Sequence, residues 1–152
     1  MNLTKETVKR LHAEGPEWFR PELEEFYGEA FFKPTDFRSI KTFADVCLEN
    51  GTNEQELNAR FEDLDLDTIN YEKVKLIVKA INQGWYPDWK DRKQYKYFPW
   101  FEIDKAGAFC LYVLDSAFLV GVAVGSRLCF ESSEKCKYAA EQFIDIYKQY
   151  LL

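Results

Sequence analysis

AFCLYVLDSAFLVGVAVGSRLCFE, residues 108–131, is the stretch whose reading decides the fold. The apolar run containing it, Ala106 to Gly125, approaches the length of a membrane span. Asp115 and Ser116 interrupt its middle, and glycines stand at 107, 121 and 125. With its β-branched and aromatic content, that punctuation reads as strands and turns. The expected strands are Trp100 to Ile103, Ala108 to Leu114, Phe118 to Val124 and Arg127 to Glu131. Turns are expected at Asp104–Gly107, Asp115-Ser116 and Gly125-Ser126. Asp first and Gly last in the first gap suit a type I turn, so consecutive antiparallel pairing is the simplest topology. Pro99 lacks an N–H and puts the first strand at an edge, or begins it.

The second and third strands are apolar on both faces, which requires both faces to be covered. A helix from Ser132 or Ser133 to about Tyr150 carries Ala139, Phe143, Ile146, Tyr147 and Tyr150 as one stripe and covers one face. The other face is expected to receive the long helix before the sheet, with a homodimer as the alternative to a monomer. That long helix runs from about Thr68 to Gln83, where Tyr71, Val74, Ile77, Val78 and Ile81 recur at three- and four-residue steps and Gly84 supplies the terminator. Upstream, helices are expected from Thr4 to about Ala13, from Arg20-Pro21 to near Gly28, and from Phe43 to Glu49. Thr42 caps the last of these with Asp45 as its capping-box partner, and a further short helix follows Thr52. The fold class is therefore α+β: a helical N-terminal half, a four-stranded antiparallel meander, and a C-terminal helix packed on the sheet. It forms one domain over 1–152, with an N-terminal helical arm (1–35), a helical part (36–84) and a ββββα part (95–152).

Apolar residues at 47% and aromatics at 17% give the chain enough to bury, which sets it apart from disordered sequences. Cys47, Cys110, Cys129 and Cys136 are widely spaced with no paired C-x-x-C, and His12 is the one histidine, so a zinc site is not expected. The N-terminus, MNLTKETVKRLHAEG, reads as an amphipathic helix without the apolar centre of a signal peptide; reduced thiols and a cytoplasmic location are the expectation, with no membrane partner. Residues 1–75 hold 17 acidic against 10 basic side chains, and residues 76–152 hold 9 against 10. That balance opposes general duplex-DNA affinity, which needs a basic footprint. It leaves acidic mimicry of DNA by the N-terminal half as one alternative function.

Catalytic signatures are weak. Asp63, Asp65 and Asp67 open like a calcium loop, but the sixth position is Thr68 and the twelfth Val74, so the turn glycine and the bidentate glutamate are missing; helix capping explains an aspartate there. Ser126 lacks a nucleophile elbow, GVAVGS lacks the lysine and helix start of a phosphate loop, and His12 reads as a surface histidine. Scattered carboxylates leave an enzyme with an acid–base pair as a second alternative. No cofactor is implied.

One stretch is unusual: GWYPDWKDRKQYKYFPWF, residues 84–101. Trp85, Tyr86, Trp89, Tyr95, Tyr97 and Trp100 interleave with Lys90, Arg92, Lys93 and Lys96. Stacking faces among cations are what single-stranded nucleic-acid grooves use; the same residues can grip a protein, or close the seam between helix and sheet. The chain also resembles a family of small proteins encoded by phages, prophages and other genomes of gut bacteria. IKTFADVC, KAINQGWYPDWKDRKQYKYFPWF and VGSRLCFESSEKCKYAAEQFIDIYKQYL carry the resemblance, in that order, over roughly residues 40 to 152. It implies only a phage or mobile-element context; the family has no assigned activity, so no functional residue carries over. The expected function is a non-enzymatic binding or interaction module that contacts a protein or single-stranded nucleic acid through residues 85–100.

Overall fold

The computed structural model describes residues 5–32, 36–91, 93–117 and 128–152; side chains 5, 6, 10, 13, 30 and 113–117 are left aside. Three helices open the chain: α1 (Lys5–Glu14), α2 (Phe19–Tyr27) and the single-turn α3 (Glu29–Phe32). Gly28, at φ 82°, ends α2 as its position after the last apolar turn predicts. The three pack mainly on one another, burying Val8 and Leu23. His12, expected at the surface, is instead half-buried. Its ring stacks on Phe32 at 4.0 Å and its Nε2 lies 2.6 Å from Glu24 Oε1.

A 3-10 turn (Phe37–Ser39) leads to α4 (Phe43–Glu49), α5 (Glu54–Phe61) and α6 (Leu66–Asn82). Local capping sets each start: Thr42 and Asp45 form the reciprocal capping box, Asn53 accepts from the Glu56 N–H, and Asp65 accepts from the Thr68 N–H. The Asp65 carboxylate therefore caps α6, the ordinary role weighed against calcium. Hydrogen bonds from the Thr42 hydroxyl and the Thr42 and Lys41 N–H groups hold the Asp45 carboxyl below the usual carboxylate range. The Thr68 hydroxyl and N–H do the same for Asp65.

Strands β1 (Lys96–Ile103) and β2 (Phe109–Ala117) form a two-stranded antiparallel sheet. The Asp104–Gly107 turn is as expected: Gly107 sits at φ 85° and its N–H donates to Asp104 O at 2.9 Å. Other strand boundaries differ. Asp115 and Ser116, expected to turn, pair with Phe98 and Tyr97, so β2 runs on to Ala117 and β1 starts at Lys96. Cross-strand partners outweigh the polarity of two residues. Pro99 lies inside β1, beside a register shift between Trp100 and Phe101. The expected third strand, Phe118 to Val124, lies outside the described residues. The expected fourth reduces to one bridge, in which Phe130 exchanges both hydrogen bonds with Tyr97 at 3.1 and 2.9 Å. Among the described residues it stands against β1, and Ser132, which caps the next helix, ends it.

The C-terminal segment is broken at Phe143 (φ −116°) into α7 (Ser133–Gln142) and α8 (Ile144–Leu151), where one helix was expected. The break divides the work: α7 lies on both strands, while α8 lies along α6. The α6 helix meets α4, α7 and α8; its main neighbours are helices, not the second face of the sheet. The core joins Val74, Ile77 and Ile81 of α6 to Cys136, Ala139, Phe143 and Tyr147, with Phe130 and the inward rings of Tyr97, Phe101 and Phe109. Among the described residues no helix is long and apolar enough to cross a membrane.

Candidate functional site

The chain leaves α6 through Gln83 in the left-handed conformation (φ 53°) and Gly84 at φ 95°, one residue earlier than the glycine alone predicts. Trp85 N–H donates back to Asn82 O at 3.1 Å, which starts an irregular path across the end of α6. Side chains supply the order that secondary structure lacks. Asp88 Oδ1 accepts from Lys90 N–H and Asp91 Oδ1 from Lys93 N–H, both at 2.8 Å, making two Asx turns. Gln94 Oε1 accepts from the Asp88 N–H at 2.6 Å, and Lys96 Nζ donates to Gln94 O at 3.0 Å and Asp91 O at 3.3 Å.

Between this segment and α6 lies a cleft of about 580 Å³. Trp85, Tyr86, Pro87 and Trp89 wall it on the loop side; Glu72, Lys75, Leu76, Lys79 and Asn82 do so on the helix side, with Cys129 also lining it. Such a volume suits a small ligand or a short segment of a polymer. Asn82 is buried and fastens the floor: its Nδ2 donates to Cys129 O at 2.8 Å and its Oδ1 accepts from Glu131 N–H at 3.2 Å. Lys75 Nζ pairs with Glu72 Oε1 at 2.7 Å and lies 5.3 Å from the Tyr71 ring. Burial pushes the Cys129 thiol up to about 11, leaving it protonated and a poor nucleophile near neutral pH.

No protein-family model, curated protein or solved structure matches this chain.

The expected surface is only partly assembled. Trp85 and Trp89 are half-buried in the cleft wall, and Tyr86 lines the same cleft with 67% of its surface exposed. Lys90 and Lys93 are exposed beside it; Arg92 lies outside the described residues. Tyr95 is exposed and stacks loosely on Tyr97 at 6.3 Å. The strand separates the remainder: Tyr97 packs on the core, whereas Trp100 is 60% exposed on β1, apart from the residues that line the cleft. Lys96, assigned to the same surface, is fully buried, with its ammonium 5.2 Å from the Trp89 ring centre. It cannot meet a ligand phosphate from there. Aromatic content did not signal the helix side of the cleft. Its trace in the sequence is Glu72, Lys75 and Lys79, at steps of three and four beside the apolar stripe, directly before Gly84-Trp85. Among the described residues no cluster of metal-ligating side chains occurs.

Proposed function

We propose that this protein is a binding module that seats a ligand with a flat face and an anionic group in the cleft between α6 and residues 84–89, with single-stranded nucleic acid as the ligand class. The observation that carries the reading is the meeting of Trp85, Tyr86 and Trp89 with Lys75 and Lys79 around one cleft. Each base stacked on such a ring contributes about 1–3 kcal/mol, whatever the base. Lys90 and Lys93 extend from the adjoining turn into solvent, where they attract a phosphate backbone over roughly one Debye length, about 10 Å at 0.1 M salt. The net charge of −6 confines that attraction to this local patch. A phage or mobile-element setting and a role in binding without turnover belong to the same proposal.

Fluorescence anisotropy of a labelled deoxythymidine oligonucleotide tests it. Saturable binding is expected at low salt, weakening as salt rises. Trp85→Ala together with Trp89→Ala should weaken it by tenfold or more, and Lys90→Glu with Lys93→Glu should flatten the salt dependence. Absence of binding at low salt rules out the nucleic-acid ligand. Reproducible turnover in a hydrolase or transferase screen rules out a purely binding role.

A further inference from the structure

We infer that Lys96 is the positioning residue of this cleft, a buried cation that gathers Trp89, Asp91 and Gln94 around itself and thereby holds the Trp89 ring in the wall. The inference rests on reading the cleft as the ligand site, and it concerns how that site is built.

Lysine is almost never fully buried without partners for its charge. Here both hydrogen-bond acceptors and the aromatic ring shown for the ammonium belong to the loop, and the Cys129 thiol lies within reach of its charge. Two of its N–H bonds go to the carbonyl oxygens of Gln94 and Asp91, and the face of Trp89 lies 5.2 Å away. A cation over an aromatic face contributes more as the pair is desolvated, and hydrogen bonds from a charged donor are about twice as strong as neutral ones. The backbone of Lys96 is fixed independently: it is the first residue of β1, opposite Ala117, and the adjacent Tyr97 is bridged to Phe130 at the centre of the core. The side chain thus reaches from a rigid strand back into a segment with no repeating backbone pattern. The Asx turns and the Gln94 to Asp88 bond are local and exposed, and Tyr95, stacked on Tyr97 at 6.3 Å, ties the end of the segment to β1 without touching Trp89 in these contacts. Removing the cation therefore leaves Trp89 with no link to the strand among these contacts. The apolar cluster around Tyr97, Phe101 and Phe130 should keep its packing, since no partner of the ammonium belongs to it.

The test uses the full chain labelled with 5-fluorotryptophan, whose four ¹⁹F lines are assigned by single tryptophan-to-phenylalanine substitutions. In Lys96→Met the Trp89 line should shift and broaden toward the solvent-exposed position while the Trp18 line stays in place. The thermal midpoint should fall by only a few degrees, since relief of a desolvated charge offsets the loss of the donor to the Asp91 and Gln94 carbonyls. Lys96→Arg, which keeps a charged donor able to stack on the ring, should return the Trp89 line toward its wild-type position. The deoxythymidine oligonucleotide should bind Lys96→Met on the order of tenfold more weakly. A Trp89 line that does not move in Lys96→Met overturns the inference. So does unfolding of both Lys96→Met and Lys96→Gln, because Lys96 would then support the whole core. If the wild type fails to bind the oligonucleotide while the Trp89 line still responds to Lys96→Met, the proposed ligand falls and the positioning role stands.

Discussion

The two parts of the aromatic stretch 84–101, residues 84–95 and 96–101, carry four aromatic rings each and meet different fates. From Lys96 onward the chain is a strand, and its alternation turns Tyr97 and Phe101 to the core and leaves Trp100 to solvent. Before Lys96 no period exists; Trp85 and Trp89 are half-buried, Asp88, Asp91 and Gln94 tie the loop to itself, and Lys96 ties it to the strand. Aromatic content therefore says little about which rings are displayed. The strand half is fixed by packing, which is costly to undo; the loop half is fixed by a few polar contacts, which suits a wall that must adapt to a ligand.

The strand half breaks first under a core deletion. Phe130→Ala removes a fully buried ring bridged to Tyr97 and should cost about 3–5 kcal/mol in a denaturant melt. Asn82→Ala should cost about 1–3 kcal/mol, because it leaves Cys129 O and Glu131 N–H without their present partner at the cleft floor. If that loss comes without a change in Trp89 fluorescence, floor and wall are independent. Both halves should share one modest acid effect. The Asp45 and Asp65 carboxyls titrate below their ordinary range in the folded chain. Their stabilisation is thus present above the unfolded carboxylate pKa and is lost as pH falls through the lower folded values. A thermal melt series from pH 7 to 3 should fall less steeply for Asp45→Asn with Asp65→Asn than for wild type. Smallest of all, Trp100→Ala on the exposed face of β1 should change stability by no more than about 0.5 kcal/mol and leave oligonucleotide binding intact. Loss of binding there would move the site from cleft to strand.

Much of the architecture was legible where the signals are local. The Thr42 and Asp45 box, the periodic face of α6 and the Asp104–Gly107 turn are short-range patterns, and each folds as its residues dictate. What depends on distant partners was not legible. Asp115 and Ser116 read as a turn until Phe98 and Tyr97 are placed across from them. A single C-terminal helix was the natural reading of one continuous stripe, yet α7 and α8 serve different neighbours and the backbone breaks at Phe143. At the site, a run of basic residues predicted outward cations. Lys90 and Lys93 meet that expectation; Lys96 does not, because the carbonyls that make its burial tolerable come from a loop whose path no propensity encodes. The helix side of the cleft was missed because Lys75 and Lys79 look like any solvated helix face until the loop folds over them.

The most direct test of the cleft is residue-resolved: amide chemical-shift mapping of the full chain during titration with a deoxythymidine oligonucleotide. Saturating shifts should concentrate at residues 72–89 and at Cys129, with α1 to α3 unmoved. Shifts confined to the exposed strand around Trp100 or to the N-terminal helices, or none at all, would contradict the assignment of the cleft as the binding site.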